Sequence, residues 1–211
     1  MALNLEHRVQ VPEGPAGRRW PAVVKVHGWL GNENVMSIFE RSLPPDVVVV
    51  SPRAPLDMGE QGFGWYSRDD DPASFALGLE TLAEFVRGLP EAYPIVAEHV
   101  LLMGFSQGAA MCYSLLLREP ALAAAVVGLA GFLPYEAKQW LAPDRLAGKP
   151  VFMAHGTEDE TVPVARAREA AETLREAGAD LELREYPVGH KVNAEGMRDL
   201  KAWLGKVTGN W

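Results

Sequence analysis

The sequence predicts an α/β fold in which helices cover both faces of a mostly parallel central sheet, giving a three-layer sandwich. Short apolar runs rich in β-branched residues, typical of strands buried on both faces, alternate with segments whose apolar residues repeat at helical spacing. No internal repeat or linker interrupts this alternation, and 211 residues suit one hydrophobic core. We therefore expect a single domain over residues 1–211.

Seven segments have the composition and length of strands. The first, at the N-terminal end, is a candidate for antiparallel pairing, whereas the other six suit a parallel sheet. The segments are residues 5–11, 22–27, 47–51, 99–103, 124–129, 151–155 and 181–186.

Helices are predicted between these strands, because apolar residues recur there at steps of three and four. The stripes are Phe75, Leu79, Leu82 and Val86, then Val164, Ala167, Ala171 and Leu174, and finally Met197, Leu200 and Leu204. Gly88 and Pro90 predict the end of the first helix. Pro163 and Gly178 suit the two ends of the next one, and Asn193 is the expected N-cap of the last.

Charge and composition exclude several classes of function. The formal net charge is −8 and the basic residues are scattered, so we expect neither nucleic acid nor an anionic membrane as a partner. No apolar run is long enough to span a bilayer, and the N-terminal residues lack a secretory signal pattern, so we expect a cytoplasmic protein. A small-molecule substrate fits best, and the oligomeric state stays open, a homodimer included.

Residues 99–108 carry the strongest chemical motif, HVLLMGFSQG, in which a buried strand leads through Gly104, Ser106 and Gly108 into a helix at 107–118. This is the context that a nucleophile elbow requires. The turn is so sharp that side chains at the flanking glycines would collide with neighbouring backbone. Ser106 would then stand exposed at a helix N-terminus, where negative charge is favoured.

A serine nucleophile needs a base, and in the α/β-hydrolase arrangement the chain order is Ser, then Asp or Glu, then His. This order leaves His155 and His190. We expect the base to be His190, because it lies in a loop between the last strand and the last helix, from which it can reach back over the sheet. The alternative is a histidine bonded only within its own loop.

The acid that orients the histidine is left open by spacing alone. Glu158, Asp159 and Glu160 all follow the 151–155 strand, and each could hold the imidazole in the required tautomer. The carboxylates at 69–71 precede Ser106, so they are better explained as a turn or as the cap of a helix beginning near Pro72.

Seven short motifs occur in order along most of the chain. They are residues 27–33 (HGWLGNE), 52–55 (PRAP), 62–66 (GFGWY), 104–108 (GFSQG), 131–134 (GFLP), 155–159 (HGTED) and 189–190 (GH). The sequence thereby resembles the phospholipase/carboxylesterase family of α/β-hydrolases, which includes small bacterial esterases and acyl-protein thioesterases. The resemblance implies that Asp159 is the acid and His190 the base. It also implies an oxyanion hole formed by the backbone N–H groups of Trp29 and Gln107. The chain departs from the family where Trp29 and Leu30 replace a small residue, which suggests a narrower acyl entrance.

The resemblance also nominates residues that contact the substrate, although aromatic side chains often serve only packing. They are Leu30, Phe63, Trp65, Tyr66, Phe132, Leu133 and Val162. Cys112, His27 and His155 are interpreted as structural. No metal-binding motif occurs in the sequence, and we expect no cofactor.

These observations predict a serine carboxylesterase that works through a Ser-His-Asp triad and an acyl-enzyme intermediate. An acyl-protein thioesterase or lysophospholipase would use the same residues, and a non-catalytic binding module would keep only the fold. Residues 132–149 are too few to form a large cap domain. We therefore expect an open, shallow site, with Trp29 and Leu30 at its deep end, that prefers short to medium acyl esters.

Overall fold

A computed structural model describes residues 3–67, 69, 71–209 and 211. Its centre is a seven-stranded sheet in the order β1-β3-β2-β6-β7-β8-β9, and β4 and β5 form a separate two-stranded sheet. The strands are β1 (His7–Gln10), β2 (Trp20–Val26), β3 (Val48–Pro52), β4 (Leu56–Asp57), β5 (Phe63–Gly64), β6 (Ile95–Phe105), β7 (Ala125–Leu129), β8 (Pro150–Gly156) and β9 (Asp180–Tyr186). Within the large sheet, β1 pairs antiparallel with β3 and the other pairs are parallel. All seven predicted strands are therefore present, including the antiparallel first one.

Four α-helices and a 3-10 helix at Val35–Ser42 cover the sheet. The α-helices are α1 (Pro72–Ala92), α2 (Gln107–Arg118), α3 (Val164–Glu176) and α4 (Ala194–Thr208). On one face the sheet packs against α1, α2 and α3, and on the other against α4 and the 3-10 helix. Successive side chains of β2 enter opposite layers, Val24 on the first face and Val23 on the second. The predicted three-layer α/β architecture is confirmed.

The end of α1 differs from its prediction. Gly88 and Pro90 do not stop the helix, which continues to Ala92. Pro90 lies in the last turn, where a missing N–H removes only one hydrogen bond of the helix. The helix ends at the next proline, because Tyr93 precedes Pro94 and adopts an extended conformation with φ −134° and ψ 160°.

Two helix caps are present as predicted. The Asn193 side chain accepts a hydrogen bond from Gly196 N at 2.8 Å at the start of α4. The Asp71 carboxylate accepts one from Ala73 N at 3.0 Å at the start of α1. Asp69 bonds locally to Ser67, and Asp70 lies outside the described residues.

No cap domain covers the carboxyl ends of the strands in the described part of the chain. Residues 132–149 contain a single 3-10 helix at Tyr135–Trp140 followed by turns. Among the described residues, no helix has both the length and the apolar character needed to cross a bilayer. The sequence analysis missed the β4–β5 hairpin and the 3-10 helix at Val35–Ser42, and the 3-10 helix lines the cleft described below.

The α4 cap can be tested by replacing Asn193 with Ala. Removing the side-chain acceptor should lower the free energy of unfolding by about 0.5–2 kcal/mol, because Gly196 N–H loses its partner. Urea unfolding followed by circular dichroism measures this loss. The control Asn193→Ser keeps a capping oxygen and should retain most of the stability; equal losses for both variants would contradict the cap's role.

Candidate active site

Ser106 occupies the turn between β6 and α2 in a strained conformation, with φ 53° and ψ −118°. Such a conformation costs about 1–3 kcal/mol and persists only where the surroundings enforce it. A Cβ atom on Gly104 would lie 2.3 Å from Gly108 O, and one on Gly108 would lie 2.1 Å from Val26 O. Both neighbours must therefore be glycine. The strain and the tight packing match the geometry that the sequence predicts for a nucleophile elbow.

His190 and Asp159 meet above the carboxyl end of the sheet. The Nδ1 atom of His190, which follows β9, lies 2.7 Å from Oδ2 of Asp159, which follows β8. A carboxylate only accepts hydrogen bonds, so Nδ1 carries the proton and Nε2 of a neutral His190 is left unprotonated. The other oxygen, Oδ1, accepts hydrogen bonds from the backbone N–H groups of Thr161 at 2.9 Å and Val162 at 2.8 Å.

Burial separates Asp159 from the neighbouring acids that spacing could not distinguish. Asp159 is only 5% exposed, whereas Glu158 and Glu160 point into solvent. A buried carboxylate is tolerated because hydrogen bonds replace its lost hydration. Asp159 has three such donors, counting His190.

Two backbone N–H groups beside Ser106 lack an acceptor within the described part of the chain: those of Trp29 and Gln107. Gln107 is the first residue of α2, where a helix has no internal acceptor for N–H. Trp29 lies in the loop after β2. That loop abuts the elbow, because a Cβ on Gly28 would be 3.3 Å from Ser106 Cβ.

A buried network fixes the loop that carries Trp29. His27 Nε2 accepts a hydrogen bond from Ala54 N at 3.0 Å, so its Nδ1–H donates to Gly28 O at 2.7 Å. Burial lowers the pKa of His27, which favours this neutral form. The Trp65 indole N–H donates to His27 O at 2.8 Å, and Trp65 N donates to the Gln107 side chain at 2.9 Å. These bonds join the β2 loop to the start of α2.

A bidentate ion pair holds the far end of the same loop. Arg53 donates to Glu33 through Nε at 2.7 Å and through Nη2 at 2.8 Å, and also contacts Glu6. These hydrogen bonds lower the pKa of Glu33 to about 2. The Arg53 guanidinium also lies 4.7 Å from the centre of the Phe63 ring.

Ser106 and His190 face a cleft of about 840 Å³, near the upper end of the range typical of small-molecule sites. Four of the seven predicted contact residues line it: Leu30, Tyr66, Phe132 and Val162. Trp29 and Gln107 line it as well.

The other three predicted contacts lie elsewhere, which corrects the interpretation of Phe63, Trp65 and Leu133. Trp65 is 1% exposed and is used in the network beneath the β2 loop. Leu133 is buried in the main core, and Phe63 belongs to the β4–β5 hairpin beside Arg53. Leu30, expected at the deep end, is 39% exposed and therefore borders the cleft mouth.

The sequence analysis missed one wall of the cleft. Val35, Met36, Ile38 and Phe39, from the 3-10 helix, line it. Their spacing is helical and could have been recognised from the sequence. At another wall, the guanidinium of Arg166 lies 4.1 Å from the Phe132 ring centre. No cluster of His, Cys, Asp or Glu that could hold a metal ion occurs among residues 3–67, 69, 71–209 and 211.

Residues 17–208 match the family model described as phospholipase/carboxylesterase. The chain belongs to the phospholipase/carboxylesterase family. It is accordingly a hydrolase with the α/β-hydrolase fold.

Relatives of the chain have esterase and thioesterase names. Acyl-protein thioesterase 1 of Gibberella zeae is 28% identical over 201 residues, covering 85% of this chain and 84% of the relative. Esterase YpfH of Escherichia coli is 29% identical over 203 residues, covering 90% and 83%. The crystal structure of a Bacillus cereus carboxylesterase matches with a TM-score of 0.86, covering 97% of this chain and 95% of that one at 24% identity, which supports the shared fold.

The Glu33–Arg53 pair predicts a pH dependence of stability. Folding lowers the pKa of Glu33 from ~4.3 in the unfolded chain to about 2. The ionised side chain therefore contributes its full stabilisation at pH values above ~4.3, and this contribution is lost as the pH falls through about 2. The stability difference between wild type and Glu33→Gln should therefore be largest near neutral pH and shrink between about pH 5 and 2. Urea unfolding at several pH values measures it.

Glu60→Gln is the matched control, since Glu60 is exposed and lies outside the ion pair. The free energy of unfolding of Glu60→Gln should stay close to that of the wild type at every pH. A Glu33→Gln difference that is constant from pH 7 to 2 would show that the ion pair does not stabilise the loop.

Proposed function

We propose that this hydrolase is a serine carboxylesterase in which Ser106, His190 and Asp159 form the catalytic triad. The observation that carries the proposal is the 2.7 Å contact between the buried Asp159 and His190, which lines the same cleft as the strained Ser106. The tautomer that this contact requires leaves His190 Nε2 free to act as a base. The substrate proposed is a short to medium acyl ester.

Acylation begins when Ser106 Oγ attacks the ester carbonyl carbon and His190 Nε2 accepts the hydroxyl proton. The carbonyl oxygen becomes an oxyanion that accepts hydrogen bonds from the N–H groups of Trp29 and Gln107. These donors are preorganised, so they stabilise the developing charge without reorganising during the step. The dipole at the N-terminus of α2 acts in the same direction.

The tetrahedral intermediate collapses when His190 donates its proton to the departing alcohol oxygen, leaving an acyl ester on Ser106. Water then attacks this ester while His190 accepts its proton, and the second collapse releases the acid and restores Ser106. Asp159 stays ionised and stabilises the imidazolium in both halves of the reaction. A thioester would follow the same path with a thiol as the leaving group.

An acyl-protein thioesterase or a lysophospholipase is the second candidate. Two observations favour it: a relative of this chain is named acyl-protein thioesterase 1, and the cleft has an apolar wall formed by Met36, Ile38 and Phe39. The negative net charge makes anionic lipid surfaces poor partners, so small ester substrates stay the first choice. A cytoplasmic location and a homodimer stay predictions from the sequence.

The triad is tested by replacing Ser106, His190 and Asp159 with Ala one at a time. Each change should lower kcat for p-nitrophenyl butyrate by about three or more orders of magnitude, and double variants should lose little more, because the three residues act as a unit. Labelling with a fluorophosphonate probe should occur in the wild type and vanish in Ser106→Ala.

The neighbouring acids provide the control. Glu158→Ala and Glu160→Ala should keep most of the activity, since both side chains are exposed. If Glu160 proved indispensable and Asp159 did not, the assignment of the acid would be wrong. Losses that simply multiply across the double variants would refute the triad as a unit.

Acyl length distinguishes the two candidate substrate classes. Each methylene that leaves water contributes at most ~0.8 kcal/mol, equivalent to about a fourfold gain in kcat/KM. The gain should stop at medium chain length, because Leu30 and Ile38 at the cleft are 39% and 67% exposed and bury an acyl chain incompletely. A series of p-nitrophenyl esters and matched thioesters measures this. Efficiency that rises to about 16 carbons would favour the thioesterase or lysophospholipase.

A further inference from the structure

A second histidine lies against the Asp159 carboxylate. His155, near the end of β8, is 2% exposed, and its Nε2 atom is 2.8 Å from Val162 O and 3.4 Å from Asp159 Oδ2. Asp159 Oδ2, which contacts His190, therefore has imidazole nitrogens on two sides. The sequence analysis interpreted His155 as purely structural.

The protonation of His155 follows from its partners. A carbonyl oxygen only accepts hydrogen bonds, so Nε2 carries a hydrogen that it donates to Val162 O. Burial lowers the pKa of His155, which favours the neutral ring. The Nε2 atom that bonds Val162 O also lies 3.4 Å from Oδ2 of Asp159, so the buried ring packs directly against the carboxylate.

Val162 connects His155 to Asp159 a second time. Its carbonyl oxygen accepts from His155, and its N–H donates to Asp159 Oδ1 at 2.8 Å. His155 thus anchors the residue whose N–H binds one carboxylate oxygen, while its own Nε2 atom lies 3.4 Å from the other oxygen. The carboxylate is held at Oδ1 by two backbone N–H groups, and one of them belongs to the residue that His155 binds.

We propose that His155 is a positioning residue that acts on the reaction through Asp159. The inference rests on the proposed function, in which Asp159 orients His190. His155 contacts neither Ser106 nor the cleft, so it should affect the rate of the chemical steps and leave substrate binding nearly unchanged.

The test compares two amides that place their NH₂ groups differently. The glutamine nitrogen in His155→Gln corresponds in reach to Nε2, whereas the asparagine nitrogen in His155→Asn corresponds to Nδ1 and cannot reach Val162 O. We expect His155→Asn to lower kcat by about 10- to 100-fold with little change in KM, because small errors in catalytic geometry are costly. His155→Gln should recover most of this loss. Equal kcat losses in the two variants would overturn the proposal.

A double-variant cycle separates action through Asp159 from general damage. In an Asp159→Asn background, His155→Asn should lower the residual kcat by less than about threefold, since its route to the reaction is already gone. The same loss in both backgrounds would overturn the proposal even if the triad is correct. A near-normal rate for Asp159→Asn alone would instead overturn the proposed function.

Tyr186→Phe is the control for stability. It removes a hydrogen bond of 2.7 Å between a buried hydroxyl and Asp199, away from the cleft lining. Thermal unfolding of all variants identifies conditions in which each is folded, and kcat is measured there. A Tyr186→Phe loss of kcat as large as that of His155→Asn would show that reduced stability alone explains the effect, and would overturn the proposal.

Discussion

The sharp turn at Ser106 is the constraint on which the site depends. A serine with φ 53° is unfavourable by itself, and it persists because β6 is held inside a parallel sheet while α2 packs directly on β2. Gly108 permits that packing, since its Cα approaches Val26 O too closely for any side chain. The same approach places the first N–H of α2 beside the β2 loop. The proposed nucleophile and both proposed oxyanion donors therefore depend on one close contact between backbones.

The parallel strand order brings the remaining groups to that turn. In a parallel sheet the loops after the strands share one edge, and here β2, β6, β8 and β9 contribute the loops bearing Trp29, Ser106, Asp159 and His190. Residues distant in sequence thus converge at one edge of the sheet. The site is fixed from behind by hydrogen bonds among buried polar groups, including His27, Gln107 and His155, each of which is less than 5% exposed.

Much of this arrangement is predictable from the sequence, because periodicity and turn residues report local structure directly. The strands, the helix starts at Pro72 and Asn193, and the elbow all follow from such signals. The choice of Asp159 over Glu158 and Glu160 as the acid does not follow from periodicity or turn residues. Consecutive carboxylates differ here in burial, which the tertiary structure sets. Trp65 illustrates the same limit. An aromatic residue in a Gly-rich loop suits a pocket wall. The two N–H groups of Trp65 instead donate hydrogen bonds to Gln107 and His27 beneath the β2 loop.

Residues at the cleft mouth can be substituted to change substrate specificity, whereas residues of the buried hydrogen-bond network cannot. The carboxylate oxygens of Asp159 and Glu33 already have hydrogen-bond partners within the protein, so neither is free to recognise a substrate. At the mouth, Leu30, Val35, Ile38 and Tyr135 are all exposed and apolar, and each lines the cleft without a role in the network. Substitutions there leave the buried hydrogen bonds intact and change only the apolar area offered to an acyl chain. Substitutions at the rim can therefore change substrate preference while the geometry at Ser106 stays constant.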